Sequence, residues 1–416
     1  MKKKVKFLTY QQQLDNLRDH GLIVTNDRIG TELLQSRGYY NLINRYKEDL
    51  YRKGQKEYPI QTTLEDLYKY HRIEDDLRNI LFRFTLNVEQ RLKENISYAL
   101  ASNFGVDPKQ YLNPHNFNLR HASRTSSILY EFERILSRPR SEPLRYYKNN
   151  YDVVPPWILL NDAMLGETRM LFGILPFKLK IYIIKSMLPV ANQEFGSRPK
   201  STEEEWNEYI FWQIEKELKQ KVDIDKDDPN IVDKVADSLE KKFKNKLVEL
   251  FSTMIHSIND FRNALAHGDR IVHFKSRYNL KYKQLYSIIE VDITKKRFDT
   301  KNLGNGIYGI LIVLMCLLDK YDALLLIRQL KDWQYQNTRT YNDRKTYNLF
   351  IKNCNLSRRF TTELEDINHS LHYYSTLNKS FPFLHDGKYA YYDYGFLILI
   401  VIRYIKYNSI IFNNRG

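Results

Sequence analysis

From Leu64 to Phe104 the chain runs 41 residues without a proline or a glycine. Leu67, Ile73, Leu77, Leu81, Leu86, Val88, Leu92, Ile96 and Leu100 recur through it at helical spacing, and Gly105 ends it. Such a run predicts either one long helix or two helices meeting at a kink. Acidic and basic residues mix along it (Glu74, Asp75, Arg78, Arg83, Glu89, Arg91, Lys93), which reads as a solvated, ion-paired face. A helix of that length needs partners, so the rest of the chain is expected to be mostly helical.

The flanking segments agree. Lys6–Val24 reads as a short helix with Thr9 as N-cap, closed by Gly21, and Leu33–Tyr46 follows with Gly38 inside it. Residues 106–156 carry six prolines and read as a loop-rich insertion, with one helix over Asn116–Leu136. Trp157–Leu175 reads as an apolar helix interrupted at Gly166, Glu203–Gln220 as a helix and Lys221–Asn230 as a polar linker. Helix resumes over Ile231–His267. Ile288–Phe298 alternates and predicts a small strand, a minor β element near 270–300. The apolar runs Ile307–Leu318 and Phe396–Ile402 are too short for a membrane span and read as buried helix or strand. The expected division is an N-terminal helical region over 1–60, a helical core over 61–330 and a Tyr- and Asn-rich region over 331–416.

Lys and Arg exceed Asp and Glu by 15, with an isoelectric point near 9.3. That favours a polyanionic partner, nucleic acid before membrane. Two cysteines leave no room for a disulfide framework or a Cys-based zinc site, and residues 1–10 have no signal-peptide core, so a cytoplasmic protein is expected. No Walker loop, dinucleotide fingerprint or nucleophile elbow is present, so no cofactor is expected. His369 and His372, near Glu363 and Asp366, are a weak metal motif, and the expectation is no metal.

Chemistry concentrates in Phe251–Arg270, FSTMIHSINDFRNALAHGDR. As a helix, it puts Phe251, Met254, Ile258, Phe261 and Leu265 on one apolar stripe. His256, Asp260, Asn263 and His267 form a polar stripe roughly opposite, and Gly268 offers the stop. Asn263 and His267 stand one turn apart and can hydrogen-bond. Arg262 and His267, five residues apart, diverge by roughly 140°. Either Arg262 reaches round with its long stem, or the two face different neighbours, one of which could be a second copy of the chain.

The Arg–polar–x3–His run resembles the signature of HEPN-domain ribonucleases. Five blocks in order (KFLTYQQQLDNLRDHGLIV, LLQSRGYYNLINRY, the Leu67–Gly105 run, PPWILLNDAMLGETRMLFGIL and FRNALAHGDRIV) are similar to bacterial abortive-infection proteins of the AbiD/AbiF type. The final block of that family usually reads R-N-x-x-A-H-H-x-R. Arg262, Asn263, His267 and Arg270 are kept, Gly268 replaces the second histidine, and His273 is the nearest substitute. The resemblance implies an all-helical HEPN-like bundle with helical extensions. It also implies phage defence by RNA cleavage, possible regulation by a small structured RNA encoded nearby, and no metal.

The residue types suit metal-independent cleavage. His267 titrates near neutrality and can carry the proton; Arg262 can grip phosphate bidentately; Asn263 can orient either. Arg270 adds charge and Asp260 can hold a tautomer. Arg145 and Lys148, in the aromatic-basic run RYYKNNY, can clamp single-stranded bases. Acid and base work ordinarily uses two groups and one chain offers one such histidine, which predicts a twofold homodimer lining one cleft. Two other functions compete: a non-catalytic RNA-binding module, and a helical interaction protein that senses a phage component.

Overall fold

The computed structural model describes residues 6–51, 58–118, 122–192, 198–200, 210, 213–214, 216–217, 229–286, 288–289 and 293–372. The Leu64–Phe104 run is a single helix. Thr63 and Asp66 form a reciprocal capping box at its start, and Gly105 closes it at φ +91°, where a Cβ would strike Gln110 Oε1. Pro156–Asp162, Phe177–Met187, Lys320–Gln336 and Tyr341–Asn353 pack around it, as does a second long helix, Pro229–Ala266, here called the motif helix. The all-α class expected from periodicity is therefore correct.

The predicted stripes enter the core. Leu67, Leu77, Leu81, Val88, Leu92 and Ile96 are buried on the central helix, as are Phe251, Met254, Ile258, Phe261 and Leu265 on the motif helix; Leu86 is instead exposed. Every side chain of the Ile307–Leu317 helix is buried, and no described helix is long and apolar enough to cross a membrane. Trp333 donates to the Ile73 carbonyl at 3.1 Å and Asn353 donates to the Tyr70 hydroxyl at 2.9 Å, so residues past 330 seal one side of the central helix.

Three local expectations are corrected. The charged face of the central helix is ion-paired but not solvated throughout: Glu74, Glu89 and Lys93 are buried. Arg91 donates inward to the carbonyls of Ser186, Met187 and Leu317 at 2.7–3.0 Å. The apolar run after Pro155 is two helices, Pro156–Asp162 and Leu165–Ile174, and the break falls at Ala163–Met164 rather than at Gly166. There the Glu167 carboxylate accepts the Met164 N–H at 2.7 Å and caps the second helix. No strand forms among the described residues of 288–298. Thr294 accepts the Arg297 N–H and starts a helix, Lys295–Thr300, so capping overrides the alternation. The β element among the described residues is a short antiparallel pair, Val190–Asn192 with Arg198–Lys200. Phe396–Ile402 lies outside the described residues, as does most of Glu203–Gln220 and the Lys221–Asn230 linker.

Candidate functional site

The motif helix ends in a Schellman arrangement. Gly268 sits at φ +66°, its N–H bonds to the Leu265 carbonyl at 3.1 Å, and the Asp269 N–H bonds to the Ala264 carbonyl at 2.8 Å. A left-handed residue is required there, so the glycine that replaces the second histidine of the family pattern serves the turn. The helix stops where His267 becomes its C-cap, and the imidazole is exposed.

Carboxylates hold the surroundings: Glu74 and Glu89 are buried, and Asp49 and Asp260 are partly so. Glu89, on the central helix, pairs with Lys93 at 2.8 Å and faces Arg262 Nε at 3.5 Å. Arg262 thus points inward, away from His267, as their spacing requires. Its Nε and Glu89 Oε2 are buried without a hydrogen bond, and no hydrogen bond from its terminal nitrogens forms among the described residues. The guanidinium is oriented by charge and not yet committed.

Glu74, wholly buried, accepts the backbone N–H groups of Ile271 and Val272 at 2.7 and 3.0 Å with one oxygen. Its other oxygen accepts the Tyr46 hydroxyl, and burial together with this carboxylate pushes that phenol well above its ordinary range. Asp49 pairs with Arg270 and accepts from His273 Nε2 at 2.7 Å, and the Arg270 guanidinium lies 5.1 Å over the Tyr46 ring. Tyr46 and Asp49 follow a π-helical turn, Tyr40–Asn44, and Arg45 from the same segment donates to the Gly268 carbonyl. Arg78 donates to the Asp269 carbonyl at 3.2 Å.

Asp260 is occupied elsewhere. It accepts from Arg277 Nη2 at 2.8 Å and Ser276 Oγ at 3.1 Å. Burial would raise its carboxyl, but Arg277 and Ser276 outweigh that and hold it below the usual range. It therefore orients the loop after the helix, not the His267 ring. Asn263 is exposed one turn before His267, and no hydrogen bond between their side chains forms among the described residues. Arg145 and Lys148 lie on another helix, Glu142–Asn150, inside the stretch expected to be loop-rich. There Arg145 pairs with Glu142 at 3.1 Å and Lys148 donates to the Ser137 carbonyl at 3.1 Å.

The structure thus brings Arg262, Asn263, His267, Arg270 and His273 to one helix end, with Asp260 on its flank. Sequence reasoning missed Glu74, Glu89 and Asp49, the carboxylates that place them. The signal was available for two of these: Glu74 follows Ile73 and Glu89 follows Val88, inside the apolar stripe of the central helix. Among the described residues no three His, Cys, Asp or Glu side chains cluster as metal ligands do.

A helical protein built on two long packed helices, with a basic helix end displaying His267 and His273, is the class that the fold and the site define. The model of the Abi-like protein family matches residues 32–273, more than half of the 416 residues and the whole of this helix end. The chain belongs to that family, and membership points to abortive-infection phage defence. No curated protein and no solved structure matches the chain.

Proposed function

We infer that the protein is an endoribonuclease of HEPN type that acts in phage defence without a metal. The observation that carries the reading is the exposed His267 at the end of the motif helix, in a loop crowded by Arg45, Arg78 and Arg270. In this scheme an imidazole takes the proton of an RNA 2′-hydroxyl as that oxygen attacks the adjacent phosphorus. The 5′-oxygen leaves with a proton from a second imidazole, giving a 2′,3′-cyclic phosphate. Arg262, turned by Glu89 but otherwise uncommitted, meets the charge of the phosphorane. The nearby His273 is engaged by Asp49, so the second imidazole comes from a second chain and the working form is a twofold homodimer. A small structured RNA bound to the basic surface would restrain it.

The test is cleavage of total RNA and tRNA in EDTA by purified wild type and His267→Ala, with product ends analysed. Cutting by the wild type alone, with cyclic ends, is expected. Equal cutting by both removes His267 from the mechanism. A second reading, a non-catalytic RNA-binding module, is favoured by the inward turn of Arg262 toward Glu89 and Lys93. It predicts RNA binding by both proteins and cutting by neither.

A further inference from the structure

Three turns before His267, the motif helix carries His256, and an unusual set of cations gathers round it. Arg169, from the Leu165–Ile174 helix, places Nη1 2.7 Å from His256 Nδ1 and 3.3 Å from Nε2. A guanidinium only donates, so the nearer ring nitrogen accepts and the ring is neutral. Tyr278 stacks on the same ring, with centroids 4.2 Å apart and planes 28° apart. Arg169 Nε is buried without a partner, and among the described residues no carboxylate lies within ion-pair distance of this guanidinium.

Two more cations meet at the end of the helix that carries Arg169. Lys180 donates to the Gly173 carbonyl at 2.7 Å, and Arg124 Nη2 stands 4.0 Å from the place a Cβ on Gly173 would occupy. Burial, then Arg169, then Arg124 and Arg277 hold the His256 ring down at about 4, with Asp260 the opposing charge. Burial and then Arg124 lower the Lys180 ammonium. Asp260, the acid whose charge acts on His256, is committed to Arg277. Among the described residues Arg262, Arg270 and Arg140 each face a carboxylate, of Glu89, Asp49 and Glu167, and the buried Arg91 is met by three backbone carbonyls; Arg169 Nε has neither. Like charges held together without an acid are costly unless an external anion completes them.

We propose that Arg169, His256, Arg124 and Lys180 form a phosphate subsite that grips the backbone of an RNA strand on the same helix that presents His267. Eleven residues separate the two histidines, about 16 Å along the helix axis, a span covered by a few nucleotides of one extended strand. The guanidinium fork of Arg169 binds the phosphate oxygens, and Arg124 and Lys180 flank them. The subsite rests on the RNA reading above but not on cleavage.

The test uses full-length His267→Ala protein as parent, so that RNA stays intact. Binding of a fluorescent uridine oligonucleotide is followed by anisotropy across a salt series, with Arg169→Gln, Arg169→Lys and the exposed Arg124→Gln added to the parent. Thermal midpoints verify folding. Arg169→Gln and Arg124→Gln should each weaken binding on the order of tenfold at low salt and reduce the salt slope by about one. Arg169→Lys should recover part of the loss. In the parent, the oligonucleotide should raise the titration midpoint of His256 seen by NMR, a change that a merely structural arginine would not produce. Parent-like affinity and slope in both glutamine variants would overturn the subsite and leave the ribonuclease reading standing. Weakened binding in them, together with equal RNA cutting by wild type and His267→Ala, would sustain the subsite and sink the catalytic reading. A parent that binds no RNA would overturn both.

Discussion

The two ends of the polar stripe on the motif helix use the same residue types in opposite ways. Around His267 the neighbouring arginines are held by protein groups: Arg270 pairs with Asp49, Arg78 with Asp75 and the Asp269 carbonyl, Arg45 with the Gly268 carbonyl, and Arg262 is turned toward Glu89. The His267 imidazole is left exposed. Around His256 the arrangement is reversed, since the imidazole is half-buried and engaged while Arg169 pairs with no acid among the described residues. Tethered cations shape a surface and hold one titratable group at a fixed place. An untethered cation beside a neutral ring can only be completed from outside. On the proposed reading, proton transfer belongs to one station and anion grip to the other, and each proposal can be broken.

The largest expected effect is on the chemistry. His267→Ala should lower the RNA cleavage rate by on the order of 10²–10⁴, whereas Arg169→Gln should raise the RNA concentration needed and keep the rate at saturation. Single-turnover kinetics over a range of RNA concentrations separate the two, and a rate loss at saturation in Arg169→Gln would erase the division between the stations.

Next comes the frame of the first station. Glu74→Ala removes the acceptor of two backbone N–H groups and of Tyr46. It should cost about 3–5 kcal/mol in urea unfolding, as breaking a buried charged network does. Glu74→Gln, which keeps an acceptor oxygen, should cost clearly less. An unchanged urea midpoint for the alanine variant would mean that the loop after the motif is held by packing alone.

Smaller again is Glu89→Gln, which leaves Lys93 and Arg262 facing an amide. A loss of about 1–3 kcal/mol is expected, along with weaker RNA affinity if Glu89 is what aims Arg262. Lost stability with affinity intact would assign Arg262 to the frame.

The smallest effect is a pH dependence at the second station. The His256 ring is depressed to about 4 in the folded chain against an ordinary 6.5, through burial and Arg169. The folded state therefore resists a proton that the unfolded chain accepts. The stability from this group is full above about pH 6.5 and declines as pH falls toward 4. Thermal midpoints between pH 7 and 4 should fall less steeply in His256→Asn than in the wild type. Parallel curves would place the ring in a solvated setting.

Much of this was legible before any coordinates. The 3.6-residue period of Leu64–Phe104 and of Phe251–Leu265 named both long helices and their buried faces, because apolar burial decides helix placement. Gly268 announced the helix stop, because its open φ is a local property. What stayed hidden was set by tertiary placement. Glu74 and Asp75 are adjacent acids on one helix, yet Glu74 is wholly buried and Asp75 is not, and the difference depends on what packs opposite them. Asp49, some two hundred residues from Arg270, has no local signal at all. The alternation of Ile288–Phe298 predicts a strand through Thr294, and the capping hydroxyl of Thr294 decides otherwise. Arg169, the key to the second station, sits in one of the family-like blocks but faces a histidine 87 residues away.

The Glu74 clamp also has a temporal side. Its carboxylate and the amides it receives are 197 residues apart in the chain. On the ribosome, the central helix is complete long before Ile271 and Val272 leave the exit tunnel, and until then Glu74 has no loop to hold. Such a distant closure forms late. The helix end bearing His267 is therefore seated only after most of the polypeptide has been made. If that end faces RNA as proposed, a half-synthesised copy carries no finished site while it is still attached to the cell's most abundant RNA.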